Sequence, residues 1–364
     1  MKVELTLKEK IGQMIIVGMN GKKIDERIKN LILNYKIGGI ILYRKNFKNY
    51  EEMVKLISEI KQLNSKNKVP LFIAIDQEGG RVNRMPPEIN NIKSAYRLAK
   101  TENLNIIKET GDITGEMLQK SGYNMNFSPV LDILSKNTSK GIGNRCFGEN
   151  AEDVSTYGLE IMKQLQKHKV ISVVKHFPGQ GAAKLDSHFL LPSIKKIEDE
   201  AVEPFKDAIK ENVDAIMVGH MIIKSVSKLY PASLSKKMVK IIRRKYKFRG
   251  LIITDDLKMK SIRYFYGTKR AVKKAFLAGN DIIMFRFNKK DEINAIENII
   301  KLVEKGKLKN SRINNSVNRI LNIKEKYEIS DTKEIEKINI DEINNRIDIV
   351  NTFVTDEEQK YLQD

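Results

Sequence analysis

Apolar residues in this chain gather into short runs that recur at regular intervals. The runs are MIIVGM at 14–19, GGIILY at 38–43, LFIAID at 71–76 and MNFSPVLDI at 125–133. ISVVKHF at 171–177, DAIMVGH at 214–220, LIITDD at 251–256 and DIIMF at 281–285 follow. A continuous apolar run of this length reads as a strand buried on both faces, as in a parallel sheet. Between the runs the apolar spacing changes to three and four, the period of an amphipathic helix. Such segments lie at 24–35, 49–64, 103–122, 151–169, 202–212, 235–247, 269–280 and 291–306. Strand and helix therefore alternate eight times. This predicts an α/β protein built as a (β/α)8 TIM-type barrel, a single domain over residues 1–330. An open doubly wound sheet is the alternative, but eight units favour closure. After INNSVNRILNIKEKYEI the pattern fades. Residues 331–364 form a short, acidic C-terminal extension, either an added helix or a loose end.

A barrel predicts that functional groups sit just past the strands, at the C-terminal face. Asp76, Asp132, Lys175, His176, His220, Asp255 and Asp256 all fall there. Asp255 at the mouth can serve as nucleophile, base or ligand, with the other member of the Asp255–Asp256 pair capping the next helix. Lys175 ends a buried strand, where a lysine needs a partner. It suits sugar hydroxyls or an anion, and Arg81, Arg84 and Arg145 add donors. Glu78, Gly79 and Gly80 read as a tight turn that holds Asp76 toward the mouth.

The stretch KHFPGQGAAKLDSHF, 175–189, carries two of the chain's four histidines. Its glycines and proline make it a loop. An aspartate two residues from a histidine can fix the imidazole tautomer and raise its proton affinity, so Asp186 and His188 are a candidate acid/base pair. Residues 177–185 read as the flexible span between fixed and moving ends. His168 reads as plain surface. His176, His188 and His220 fall at one face, which raises metal binding, yet no HxH or HExxH spacing is present. No metal is expected.

The formal charge is +20, spread as lysine along the whole chain, and Trp is absent. No basic run interleaved with aromatics appears, so no nucleic-acid partner is expected. One cysteine, Cys146, excludes an internal disulfide and a Cys-based zinc site. No stretch approaches the roughly 20 apolar residues of a membrane helix, and MKVELTLKEK is not followed by a signal-like apolar run. A soluble, cytoplasmic protein is expected. Oligomeric state is not legible.

IDQEGGRVNRM, FSPVLDI, GNRCFG, KHFPGQG…DSHFLLP, MVGHM…PASLS and LIITDDLKM occur in an order and spacing that resemble family-3 glycoside hydrolases. The likeness is strongest to the single-barrel β-N-acetylglucosaminidases (β-N-acetylhexosaminidases) that act on peptidoglycan fragments. It covers residues from about 5 to 330. The resemblance implies a retaining exo-glycosidase without cofactor. Asp255 would be the nucleophile and His188 the general acid/base, with Asp186 as its partner. Asp76, Arg84, Arg145, Lys175 and His176 would bind the N-acetylglucosamine ring of a small glycan. Gln180 stands where members commonly have His, and Ala182-Ala183-Lys184 replaces a more polar run. ILSKNTSKGIGN, 133–144, would shape the subsite beyond the cleaved bond. The alternatives are a β-glucosidase or other exo-glycosidase of the same fold, a phosphorylase of the same sugar, and a sugar-binding barrel without activity.

Overall fold

The computed structural model describes residues 3–136, 138–181, 191–285 and 291–354. A capping box of Thr6 with Glu9 starts α1 (Leu7–Gln13), which leads into β1 (Ile15–Gly18). The chain continues as α2 (Glu26–Leu33), β2 (Gly39–Ile41), α3 (Tyr50–Asn64), β3 (Phe72–Ile75), α4 (Ala95–Ala99), α5 (Leu104–Lys120) and β4 (Met125–Asn126). It then forms α6 (Ala151–Lys167), β5 (Ile171–Phe177), β6 (Ser193–Ile194), α7 (Asp199–Lys210), β7 (Ala215–Val218), β8 (Ile222–Ile223), α8 (Lys236–Lys240) and β9 (Leu251–Thr254). The last elements are α9 (Lys260–Tyr266), α10 (Thr268–Ala278), β10 (Ile283–Phe285), α11 (Asp291–Glu304), α12 (Asn310–Lys326) and α13 (Ile340–Thr352).

Eight strands pair in the order β10-β1-β2-β3-β4-β5-β7-β9, and every pair is parallel. The seam between β9 and β10 is joined by the Ile253–Ile282 bridge. Thr254 N donates to Ile282 O at 3.1 Å, and Leu257 N donates to Met284 O at 3.1 Å. The chain is thus the expected (β/α)8 barrel. The strands are apolar on both faces because one face fills the barrel and the other packs under the helices. β6 and β8 form a separate two-stranded parallel ladder.

The run at 125–133 pairs as a strand for only two residues. Pro129 has no N–H to give a ladder. The chain leaves the sheet there and rejoins β5 through Lys175 N to Pro129 O (3.1 Å) and Leu131 N to Lys175 O (2.6 Å). That detour delivers Asp132 to the site. The segment read as one helix at 235–247 is α8 followed by a wider π turn over Ile241–Lys245.

His168 is not plain surface. It ends α6, and its Nε2 lies 2.8 Å from Asp112 Oδ1 on α5. Gly115 makes the room, since a Cβ there would meet the His168 ring at 2.8 Å. At the barrel base, Lys324 of α12 is fully buried. Its ammonium donates to Gln13 Oε1 (2.8 Å), Gly38 O (3.0 Å) and Pro70 O (2.6 Å), just ahead of β1, β2 and β3.

The chain beyond 330 lies along the barrel as far as residue 354. Asp331 accepts from Asn64 and Leu71, and Lys61 donates to Lys333 O. α13 buries Ile343, Ile347 and Val350. Its Arg346 pairs with Glu109 (2.7 Å), Glu116 (2.6 Å) and Asp112 (2.9 Å) of α5. Among the described residues no helix is long and apolar enough to cross a membrane.

Candidate active site

A cavity of about 330 Å³ opens at the C-terminal ends of the strands. Asp76, Arg84, Arg145, Lys175, His176 and Asp255 all line it. Asp186 and His188 lie outside the described residues.

The floor is a chain of opposite charges. Lys175, two residues before the end of β5, is almost wholly buried and pairs with Asp76 Oδ1 at 2.9 Å. It also pairs with Glu78. Glu78 in turn takes a two-pronged bond from Arg145, with Nε at 2.7 Å and an Nη at 2.8 Å. Arg145 is fixed further by donating to Gly141 O at 2.9 Å. Burial alone would raise the Glu78 carboxyl, but Arg145 and Lys175 outweigh it and hold that carboxyl well below the usual range. Burial opposes the Arg145 charge, and Glu78 more than restores it. Both groups are therefore ionised near neutral pH.

Glu78 belongs to the turn read from Glu78-Gly79-Gly80, and Gly79 and Gly80 do take φ of +87° and +53°. Its role is larger than expected, because it is the counter-ion that lets two cations sit in the floor. The sequence held one signal for this. A lysine at the end of a buried strand needs a partner, and Glu78 is one of the two carboxylates that meet that need.

His176 bonds through Nδ1 to Asp132 Oδ2 at 2.7 Å. Asp132 is fully buried, and this contact fixes the orientation of the imidazole ring at the cavity. The other Asp132 oxygen accepts from Gln180 N at 2.7 Å. The loop beyond β5 is accordingly held for longer than expected. Phe177 is fully buried and meets Phe205 edge-on at 5.3 Å. A Cβ on Gly181 would lie 1.6 Å from Ile133 O. Residues 177–181 are packed rather than a hinge. Gly219 leaves room for the Gln180 amide, since a Cβ there would lie 2.4 Å from Nε2. Ser139, Gly141 and Ile142, from the lysine-bearing 133–144 segment, line the cavity wall.

Asp255 follows β9, with its N–H donated to Val218 O at 3.0 Å and its Oδ1 accepting from Asp256 N at 2.7 Å. Asp256 does not cap α9, which starts at Lys260 with Met259 as the capping residue. Its Oδ1 instead accepts from Lys258 N at 2.9 Å and holds the turn ahead of the helix. His220 lies under this turn. Its Nε2 is 3.0 Å from Asp256 O, and its Nδ1 is 2.7 Å from Ser233 Oγ. That makes it a buried structural histidine. Among the described residues no three of His, Cys, Asp and Glu group as a metal site.

Four carboxylates (Asp76, Glu78, Asp255, Asp256) and four cations (Arg81, Arg84, Arg145, Lys175) line the cavity. Their formal charges cancel among the described lining residues.

Comparison with known proteins gives concordant matches. The family model described as "Glycosyl hydrolase family 3 N terminal domain" matches residues 6–323. A β-hexosaminidase of Neisseria gonorrhoeae is 35% identical over 274 residues, 72% of this chain and 74% of that protein. A β-hexosaminidase of Haemophilus influenzae is 31% identical over 301 residues, 80% of this chain and 84% of that protein. Among solved structures, a glycoside hydrolase family 3 β-N-acetylglucosaminidase from Paenibacillus sp. FPU-7 superposes with a TM-score of 0.89 at 31% identity. That match covers 96% of this chain and 69% of that one. With its barrel, its strand-end cavity and these matches, the chain belongs to glycosyl hydrolase family 3.

Proposed function

We propose that the protein is a retaining exo-β-N-acetylglucosaminidase that removes a terminal, non-reducing N-acetylglucosamine from glycan fragments. Peptidoglycan-derived muropeptides in the cytoplasm are the proposed natural setting. The observation that carries the reading is that Asp255 and the Asp76–Lys175–Glu78–Arg145 cluster line one small cavity. At about 330 Å³ the cavity is at the small end for ligand sites, suited to one sugar ring. The choice of N-acetylglucosamine leans on the names of the relatives.

In the proposed reaction Asp76, Lys175, His176, Arg84 and Arg145 hold the ring hydroxyls and the N-acetyl group. Asp255 attacks the anomeric carbon as the glycosidic bond breaks. His188, oriented by Asp186, gives its proton to the leaving oxygen. A water then attacks the glycosyl–Asp255 ester, loses a proton to His188, and frees the sugar with its configuration retained. A neutral imidazole avoids setting a further negative charge beside the nucleophile.

The test is turnover of 4-nitrophenyl N-acetyl-β-glucosaminide, with the first-formed anomer followed by NMR. The β anomer is expected, and an α first product would sink the retaining mechanism. Activity on the glucoside but not on the N-acetylglucosaminide would sink the sugar assignment. Sugar 1-phosphate formed in phosphate buffer would replace hydrolysis by phosphorolysis. Asp255→Ala should abolish turnover. His188→Ala should slow poor leaving groups by roughly a hundred- to ten-thousand-fold and nitrophenolate far less. Equal loss on both would remove His188 from the acid/base role.

A further inference from the structure

α13 carries a polar stripe beside the apolar stripe that docks it. Asn344, Asp348 and Asn351 stand at i, i+4 and i+7, on one helix face. Asn344 Oδ1 accepts from Asn90 N, and its Nδ2 donates to Glu88 O, both at 2.8 Å. Asn351 Oδ1 accepts from Lys93 N at 3.1 Å, and its Nδ2 donates to Asn91 O at 3.0 Å. Asp348 Oδ1 accepts from Asn90 Nδ2 at 2.8 Å. Two asparagines thus grip the main chain of 88–93 as a neighbouring strand would, each giving one bond and taking one.

That loop lies directly behind the sugar-binding turn. Ile92 O accepts from Gly80 N at 2.7 Å, and Asn91 Nδ2 donates to Gly80 O at 2.7 Å. Gly79 passes so close that a Cβ would meet Ile92 O and Lys93 O at 3.1 Å. Gly79 and Gly80 in turn separate Glu78, which holds Arg145 and Lys175, from Arg81 and Arg84 on the cavity wall. A continuous line of hydrogen bonds therefore runs from α13 through 88–93 to the residues that line the cavity. The far side of α13 is bolted to α5 by Arg346. A loop between these fixed bodies has little freedom of its own. Without the clamp it would regain the conformational freedom of an exposed connection.

We propose that α13 is a strut of the sugar site and that Asn344 and Asn351 are positioning residues for Glu78 and Arg84. The proposal rests on the reading of this cavity as the sugar site. It gives the C-terminal extension a role in substrate affinity beyond packing.

The test uses the full chain carrying Asn344→Ala, Asn351→Ala or both, assayed at a temperature where circular dichroism shows native structure. KM for the nitrophenyl N-acetylglucosaminide is expected to rise at least several-fold in the double variant, with kcat changed less than two-fold. Asn344→Asp keeps the acceptor for Asn90 and loses the donor to Glu88, so it should fall between wild type and Asn344→Ala. Arg319→Ala, which removes a pair to Asp281 at the barrel base, serves as control: its melting point should drop with KM unchanged. If the asparagine variants behave like Arg319→Ala, the strut is only a packing element and the proposal is overturned. Amide exchange of the free protein separates this from failure of the enzyme reading. Gly80 and Asn90 should exchange faster in the variants while Leu251 does not, whatever substrate the protein takes. Unchanged protection at Gly80 would overturn the strut by itself. If the double variant does not fold, the single variants carry both measurements.

Discussion

Glu78 shows how much one side chain can decide. It has almost no access to water and faces Arg145 and Lys175. Removing one member of a buried charge pair strands the others and costs about 3–5 kcal/mol. Glu78→Gln should therefore lower stability by roughly that amount and raise KM, as a denaturant melt and a Michaelis curve would show. The pH sign follows from its depressed titration. The folded form releases its proton more readily than the unfolded chain, so the stabilisation is full above the ordinary glutamate value of 4.5. It is lost as pH falls below that value. The gap between wild type and Glu78→Gln should narrow on acidification. A gap that stays constant would mean that Glu78 is not the charged hub. At this scale the sequence exposed Lys175 and Asp76 readily, since strand ends in a barrel are marked by position. It exposed Glu78 poorly, because an acidic residue before two glycines looks like ordinary turn chemistry. Asp132 was visible as a strand-end carboxylate, but nothing local ties it to a histidine 44 residues away.

At the scale of elements, runs and periods located all eight barrel strands, and β5 falls on the residues read for it. The misses have local causes. Pro129 cuts β4 short, and α8 relaxes into a π turn. The loop after β5 looked free because Gly179 and Gly181 permit freedom. In the fold they permit close approach instead. Gly181 O accepts from Ser135 Oγ (2.8 Å) and Thr138 Oγ1 (2.6 Å), and its Cα presses on Ile133 O. Gly181→Ala cannot fit without moving the chain where the 182–190 segment begins. Since a displacement of about 1 Å near reacting groups can cost on the order of a hundred-fold, kcat should drop at least about ten-fold. The melting point should change far less than for a barrel-core substitution. Turnover within two-fold of wild type would show that this anchor does not set the catalytic geometry.

At the scale of the whole molecule, closure was legible from the count of strand–helix units. The contacts that brace the closed barrel were not. Lys324 reaches Gln13 across 311 positions, and Asn344 reaches Glu88 across 256. No periodicity records such pairs. Lys324 also gives the fold a pH signature. Burial pushes its ammonium down to about 7, against a partial pull upward from Asp331. Between about 7 and the ordinary 10.5 the unfolded chain holds a proton that the folded one has shed. Stability should therefore rise with pH across that window, by at most roughly 1.4 kcal/mol per unit. Comparing wild type with Lys324→Met by chemical denaturation at pH 7 and pH 10 isolates the effect. The difference in favour of wild type should be larger at pH 10. A difference that shrinks would reverse the assignment.

The cancelled charges around the cavity have a consequence in ionic strength. The chain as a whole carries +20, a far field that draws anions and is screened within a Debye length of about 10 Å at 0.1 M salt. Among the described lining residues, four carboxylates set against four cations leave the cavity without a net pull of its own. A neutral glycoside should then react with a kcat/KM that is flat from low to high salt. An anionic glycoside of the same sugar should lose its advantage steadily as sodium chloride is added. The two salt titrations would separate what the surface attracts from what the site recognises.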